Sequence, residues 1–330
     1  MTTRYPVCRL ANLRFRQAPM GNRANVDERA PEVVVAGQVG RDLVLHVPEL
    51  PPPHGSAEVG RRQEMLGGKG ANIAVALAQL SAAVSLIGVV GDDRVADDVL
   101  ARAQADGIDT RCVVRRPGAE TGLIVELLTE DGHWRYLEHL PEKLTEDDIQ
   151  AAAPTLTAAS SVVVQLQQPS DAALAAARMA NGRVVLDGAP ADNTRALLAS
   201  ADVLRVDQRE GELLTGYQLD SAEAALRAGR ELLDQGPSLV VLEAGQDGNA
   251  FVWPDGEVVL PLTGGRPVDT TGGGDAMVAA LTFALTRGAG PHKAAALAVA
   301  ASGATVARPG GRPDLAAGEL APHLAELARS

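Results

Sequence analysis

The apolar positions of this chain follow two rhythms. Short runs rich in β-branched residues recur at Val33 to Ala36, Ala83 to Val90, Ser161 to Leu166, Arg183 to Leu186 and Leu239 to Leu242. Their length and bounding turn residues predict strands buried on both faces. Helical patterns lie between them. Ala71 to Ala82 is apolar on nearly every face, which predicts a helix enclosed on all sides. Asp93 to Asp106 is amphipathic, and the chain ends in three helical stretches, Gly274 to Arg287, Pro291 to Val306 and Leu315 to Ala328. This alternation predicts a parallel sheet with helices on both faces. Two stretches break the rhythm. Around 42–66, Leu43 to Val47 alternates loosely and a Pro51-Pro52-Pro53 loop follows. Around 111–139, Arg111 to Arg115 and Thr121 to Leu128 read as strands, and an Asp131-Gly132 turn leads into Trp134 to Leu137. These pieces predict a small sheet projecting from the α/β body.

A chain of 330 residues suits one large α/β domain, placed at 32–330. The preceding residues 1–31 carry Arg4, Arg9, Arg14, Arg16, Arg23 and Arg29 without an apolar core, so they are expected to be a disordered, Arg-rich extension rather than a secretory signal. No apolar run has the length of a membrane span. The two cysteines, Cys8 and Cys112, are far apart and define neither a disulfide framework nor a zinc site. A reducing, cytoplasmic setting is expected. With 30 basic against 42 acidic residues, the net charge of −12 argues against a nucleic-acid partner, though a small site can still be locally positive.

Two glycine-rich segments carry the candidate chemistry. Asp269-Thr270-Thr271-Gly272-Gly273-Gly274-Asp275 opens an apolar helix. Glycines let backbone N–H groups converge, and a helix N-terminus adds unpaired N–H groups and partial positive charge, so the segment suits a phosphate. Asp275 at its edge either accepts a proton from a hydroxyl or simply caps the helix. The second segment is Gly67-Gly68-Lys69-Gly70-Ala71-Asn72. It completes neither a Walker A loop nor a dinucleotide fingerprint. Asn72, in the first turn of an otherwise apolar helix, needs partners that a hydroxylated ligand or a nearby loop would supply. Asp42 follows the first strand, where it is either an ordinary surface carboxylate, the simpler reading of this residue alone, or a group that takes two sugar hydroxyls. Asp207 and Glu210 stand three apart after Val203 to Val206, as Mg²⁺ carboxylates, as a helix cap, or as both.

The two glycine segments, in this order and separation, resemble the two signatures of the PfkB carbohydrate kinases, and the resemblance runs from about Val33 to Asp314 with a ribokinase-like arrangement. It implies a doubly wound, mostly parallel α/β sheet flanked by helices, with a β-sheet lid from about 42–66 and 111–139 that often joins two subunits in a homodimer. The implied activity is ATP-dependent phosphorylation of a primary hydroxyl on a pentose, with D-ribose to ribose 5-phosphate foremost. A nucleoside, a hexose, a sugar acid, or a non-catalytic sensor on the same fold are the alternatives. By resemblance Asp275 is the base, and Gly272, Gly273 and Gly274 with Asp275 form the anion hole. Asp42, Gly68, Lys69, Asn72 and Gln167 fall at sugar-contacting positions. Asp207, Glu243, Gly245 and Gly248 fall at nucleotide positions, and Glu210 at the residue that orders Mg²⁺ through water. Asp269, Thr271, Thr305, Arg308, Gly310 and Asp314 fall around a monovalent cation, K⁺. The sequence departs from the family pattern at Gly40, where an Asn is usual, at Gln167 for a sugar-contacting Glu, at Glu243 for a Thr near the phosphates, at Val299 for a polar residue at the adenine edge, at Asp207 for the Asn of the Mg²⁺ motif and at Asp314 for a small hydroxyl residue.

Overall fold

The computed structural model describes residues 30–329 apart from 132, 309 and 310. The expected extension over 1–31 therefore lies almost wholly outside the described residues. The described chain runs β1 (Val33–Ala36), β2 (Gly40–Val47), β3 (Arg61–Gly67), α1 (Lys69–Gln79), β4 (Val84–Val90), α2 (Arg94–Ala105), β5 (Asp109–Arg115), β6 (Gly122–Thr129) and β7 (Trp134–His139). It continues through α3 (Glu146–Ala151), α4 (Ala153–Ala158), β8 (Ser161–Gln165), α5 (Ser170–Met179), β9 (Arg183–Asp187), α6 (Thr194–Leu198), β10 (Val203–Val206), α7 (Gln208–Thr215), α8 (Ala222–Leu233) and β11 (Leu239–Glu243). The hairpin β12 (Asn249–Trp253) and β13 (Gly256–Leu260) follows, then the helices α9 (Gly273–Thr286), α10 (Pro291–Val306) and α11 (Ala317–Leu327).

The main sheet has nine strands in the order β13-β12-β11-β10-β9-β8-β1-β4-β5. It is parallel from β11 to β5, and β12 and β13 add an antiparallel edge that the sequence pattern did not predict. From β1 the chain first winds outward to β4 and β5, then returns to β8 on the other side of β1. The order reverses there, and at such a reversal the crossover loops part and leave a crevice beyond the carboxyl ends of the strands. Those ends carry Gln165, Asp187, Arg205 and Glu243.

Helices cover both faces, as the alternation predicted. α1, α2, α9, α10 and α11 bury one apolar layer. α3 to α8 bury the other. α9 and α10 are apolar all round, and their alanines let the two backbones approach each other beneath the sheet. The core is aliphatic, with Phe251 the largest fully buried side chain.

The lid is a separate four-stranded sheet in the order β3-β2-β6-β7. Its boundaries differ from expectation. Arg111 to Arg115, expected in the lid piece 111–139, belongs to β5, which pairs in parallel with β4 at the edge of the main sheet. The cause is two-sided packing: Val113 packs toward one core layer, and Cys112 and Val114 toward the other. A lid strand has only one core-facing side. The lid also starts earlier, at Gly40, because a Cβ there would lie 2.7 Å from the Gly122 carbonyl oxygen, so glycine lets β2 and β6 meet.

Candidate active site

The three glycines at the start of α9 are needed for three different reasons. Gly272 has φ +72°, the left-handed region, and its missing Cβ would stand 2.0 Å from the Gly311 carbonyl oxygen. A Cβ on Gly273 would strike the Val306 side chain at 2.6 Å, where α10 packs. A Cβ on Gly274 would lie 2.6 Å from a guanidinium nitrogen of Arg205. No side chain caps this helix. The Gly273 N–H bonds the Thr270 carbonyl at 3.4 Å, and the N–H groups of Gly274 and Asp275, both residues lining the crevice, are left with the partial positive charge of the helix end behind them.

Asp275 sits in the first turn of α9 and is buried, with 8% exposure. Asn72 of α1 donates from Nδ2 to its Oδ2 at 3.0 Å. The two glycine segments, about two hundred residues apart in sequence, thus meet in one hydrogen bond, as their shared reading as one site required. Burial pushes the Asp275 carboxyl up to about 6, with Lys69 pulling against it and Asp187 adding to it. A carboxylate poised there is ionised at neutral pH yet basic enough to take a hydroxyl proton. Gly68, with φ +89°, forms the entry to α1, and Lys69 is its first residue. Burial works against the Lys69 ammonium, but the charges of Asp187, Asp275 and Glu210 outweigh it and hold the group above its usual value.

The lid supplies the opposite wall. Its register aligns Asp42, Ile124 and Glu138 in one row and Val44, Glu126 and Tyr136 in the next. Trp134 follows in a third row beside Leu128. Side chains of paired residues share a face, so alternation along three strands aims Asp42, Ile124, Glu126, Trp134, Tyr136 and Glu138 into the same cleft as Asp275. Asp42 lies over Gly67, and its Oδ1 is buried without a hydrogen-bond partner. Burial and the charge of Asp275 push its carboxyl up to about 7. An unsatisfied buried carboxylate oxygen is what a sugar hydroxyl would satisfy. Replacing Asp42 by alanine is expected to raise the KM for the sugar about 100-fold, because a hydrogen bond to a charged group is worth about 1.5–3 kcal/mol. Steady-state kinetics reads that change, with kcat shifted less than KM.

The lid is also tied to the anion loop. Trp134 donates from Nε1 to Thr270 Oγ1 at 3.1 Å, Tyr136 shares a hydrogen bond with the Thr271 hydroxyl, and that hydroxyl donates to Glu126 at 3.4 Å. The sequence reading missed Glu126, Trp134, Tyr136 and Glu138. The chain has only 2 Trp, 3 Tyr and 3 Phe, so two aromatics within one short strand were a usable signal.

A charged cluster occupies the carboxyl ends of the central strands. Arg205 of β10 is buried, and its guanidinium donates to Asp187 at 3.3 Å and to Glu243 at 2.8 Å. Burial opposes its charge, and Asp187 and Glu243 more than offset this, so it stays a cation. Glu243 therefore does not stand as an unpaired negative charge in the cleft it shares with the start of α9. Arg205 and Asp187 were not singled out in the sequence, although an Arg inside the apolar run Val203 to Val206 is a visible interruption. Asp207 caps α7 by accepting from the Glu210 N–H at 2.7 Å, and Glu210 returns the bond to the Asp207 N–H at 2.9 Å. The other Glu210 oxygen lies near Gly188. Gln167 lines the outer part of the cleft. Gly245 and Gly248 shape the turn after β11, each with positive φ, and lie outside the cleft lining.

The expected cation positions are brought together in part. Asp269 is buried and accepts from the Thr271 N–H at 2.9 Å, and its own N–H bonds the Val306 carbonyl at 3.2 Å, one residue beyond Thr305. Arg308 and Asp314 form an ion pair with each other, and Arg308 also reaches Glu319 at 2.8 Å. Gly310 lies outside the described residues.

An uncapped helix N-terminus, a buried carboxylate beside it and a lid of acidic and aromatic side chains thus face one another across one cleft at the carboxyl ends of a doubly wound sheet. Residues 30–317 match the model of the pfkB family carbohydrate kinases, and the chain belongs to that family. It is 28% identical over 254 residues to the deoxyribokinase of Salmonella typhimurium, covering 75% of this chain and 83% of that enzyme. It is 29% identical over 272 residues to the ribokinase of Mus musculus, covering 78% of this chain and 83% of that one. The structure of Arabidopsis thaliana ribokinase complexed with ribose and ATP superposes with a TM-score of 0.76 at 25% identity, over 90% of this chain and 99% of that one. The fold expectation of a mostly parallel sheet flanked by helices with a separate small sheet is thereby borne out, as is the assignment to sugar kinases.

Proposed function

We propose that the protein transfers the γ-phosphoryl group of ATP to the primary hydroxyl of a pentose, with D-ribose to ribose 5-phosphate the first reaction to test. The observation that carries this reading is the placement of Asp275 at the open N-terminus of α9, held by Asn72 and facing Asp42 across one cleft. Asp42 and Asn72 orient the sugar hydroxyls. Asp275 takes the proton of the attacking hydroxyl, whose oxygen forms the new bond to the γ-phosphorus while the bond to the bridging oxygen breaks and ADP leaves with the electron pair. The N–H groups of Gly274 and Asp275 face the charge that grows on the phosphoryl oxygens, where fixed dipoles are worth most. The lid residues Trp134 and Tyr136 cover the loop and exclude water.

Mg²⁺, which such enzymes use to neutralise phosphate charge, fits the free oxygen of Glu210 as an outer ligand through water, because Mg²⁺ keeps several waters and takes few protein carboxylates. Asp269 with the loop after Thr305 suits a K⁺ ion, because its buried carboxylate is a hard oxygen donor and its backbone N–H ties it to the Val306 carbonyl at the start of that loop. Asp42, Glu126, Glu138 and Asp275 line the sugar half, which favours a neutral sugar over a sugar acid. The deoxyribokinase likeness favours 2-deoxyribose as the second candidate. A homodimer through the lid is supported by its outer face, where Leu43, Val125 and Leu137 lie side by side and Leu137 is 61% exposed. Among the described residues no helix is long and apolar enough to cross a membrane.

The test is ADP release from ATP and Mg²⁺ against ribose, 2-deoxyribose, fructose, ribonucleosides and sugar acids, with and without K⁺. Turnover of ribose raised by K⁺ is the expected result. Turnover of another neutral sugar would keep the chemistry and replace the substrate. No turnover across the panel, with sugar and nucleotide still bound in calorimetry, would point instead to a sensor.

A further inference from the structure

We propose that Arg205 is a contact of the phosphoryl group in flight, a cation delivered to the anion hole from the middle of the main sheet. This rests on the kinase reading above and deepens it. The guanidinium lies against the first turn of α9: a Cβ on Gly274 would meet its two terminal nitrogens at 2.6 and 2.8 Å. It lines the same cleft as Gly272, Gly274 and Asp275. The side chain is 6% exposed, and Nε is buried with no hydrogen-bond partner.

Fold stability does not account for this arginine. A charge in the centre of a sheet loses its hydration, and an apolar side chain of similar volume is often as stable or more so in such a place. The two carboxylates that hold it differ in freedom. Asp187 is 3% exposed and fixed in β9, whereas Glu243 is 42% exposed at the end of β11. Asp187 therefore orients the guanidinium permanently. Glu243 neutralises it in the absence of nucleotide and swings away when a phosphate arrives. A planar guanidinium then presents parallel N–H donors to phosphate oxygens, the geometry for which Arg is suited. The glycine at 274 gains a chemical purpose as well: it leaves the space through which Arg205 reaches the phosphoryl group. The N–H groups of the helix end and Arg205 would hold the group from two sides, in a site without a Walker lysine.

The experiment compares the full chain with Arg205→Met, Arg205→Lys, and an uncharged variant carrying Arg205→Met, Asp187→Asn and Glu243→Gln, which leaves no unpaired carboxylate in the cluster if Arg205→Met alone folds poorly. Two readouts are taken: kcat with the best sugar of the panel, and the affinity ratio of β,γ-methylene-ATP to ADP by calorimetry with Mg²⁺. Both Met variants are expected to lower kcat at least about 100-fold, the scale of a lost transition-state donor, and to cut the triphosphate-to-diphosphate preference about 10-fold while sugar affinity stays within a few-fold. Arg205→Lys should recover part of both, and added guanidinium ion should raise kcat of Arg205→Met but not of the wild type. Met variants that fold and keep wild-type kcat and nucleotide preference would overturn the proposal. So would equal loss of triphosphate and diphosphate affinity with no guanidinium rescue, which is the mark of a structural arginine. If the wild type phosphorylates nothing but the nucleotide preference still depends on Arg205, the kinase reading fails and the phosphate contact stands. A wild type that binds no triphosphate overturns both.

Discussion

Asp275→Asn is expected to lower kcat about 10³- to 10⁴-fold, the upper range of a general base, while the sugar Kd changes only a few-fold. The asparagine is nearly the same shape and still reaches Asn72, so the site remains assembled and the sugar still meets Asp42. What is lost is the atom that accepts the proton. Single-turnover measurement of phosphoryl transfer beside calorimetry with the sugar separates the two effects, and a variant retaining near-full kcat would show that the base lies elsewhere. The same carboxyl sets the pH profile. Burial pushes it up to about 6, so kcat/KM for the sugar should fall tenfold per pH unit below about 6 and level off above 7.

Stability should move in the opposite direction. Asp275 rises from 3.8 to about 6 and Asp42 from 3.8 to about 7 on folding. Between pH 4 and 7 the folded chain thus holds more protons than the unfolded chain at these two sites. Their contribution to stability is complete below about pH 4 and is lost as pH rises through 6 to 7. The ligand-free protein is expected to show a higher Tm at pH 5.5 than at pH 8, and added sugar should narrow the gap by giving both carboxylates partners. The site is thus destabilised in the very pH range in which it works.

The parts of this architecture legible in sequence are those whose local chemistry and long-range role agree. Gly272-Gly273-Gly274-Asp275 reads as a helix start suited to an anion on backbone grounds alone, and the structure begins α9 there with no side-chain cap. Asn72 in an apolar helix requires a polar partner, and Asp275 is that partner. Asp207 and Glu210 read as a reciprocal cap and form one. The residues that escaped notice owe their position to register and packing. Glu126 and Tyr136 face the cleft because β2, β6 and β7 align by a particular pairing, and the alternation within any one strand does not reveal which face meets the kinase body. β5 passed for a lid strand because its apolar residues suit either sheet; the decision comes from helices on both sides of it. Arg205 is the sharpest case. Read alone, it interrupts a buried strand and Glu243 threatens the phosphates. The structure makes the two a pair, with Asp187 as third member.

Gly272→Ala is expected to cost about 10²- to 10³-fold in kcat, the scale of a lost anion-hole donor, with little change in sugar Kd. Two effects act on the same atom. The residue has φ +72°, a conformation that costs an L-residue with a Cβ about 1–2 kcal/mol. The new methyl would also stand 2.0 Å from the Gly311 carbonyl oxygen, backbone that cannot rotate aside as a side chain does. The loop must therefore shift, and the N–H groups at the start of α9 shift with it, by an amount that matters where donors must point at a developing charge. Asp42 and Asn72 belong to other elements and keep the sugar in place. The loss should consequently fall on kcat and on the affinity for β,γ-methylene-ATP, and the damage to Tm should be small because the strain is confined to one loop. Gly290→Ala is the matched control: it makes the same substitution at a helix start, at φ −71° and with no heavy atom within 4 Å of the new Cβ. That variant should behave as wild type. If both variants lost activity alike, the fault would lie in general helix disturbance; if Gly272→Ala alone fails while its sugar affinity persists, the backbone at the start of α9 is what stabilises the transferring phosphoryl group.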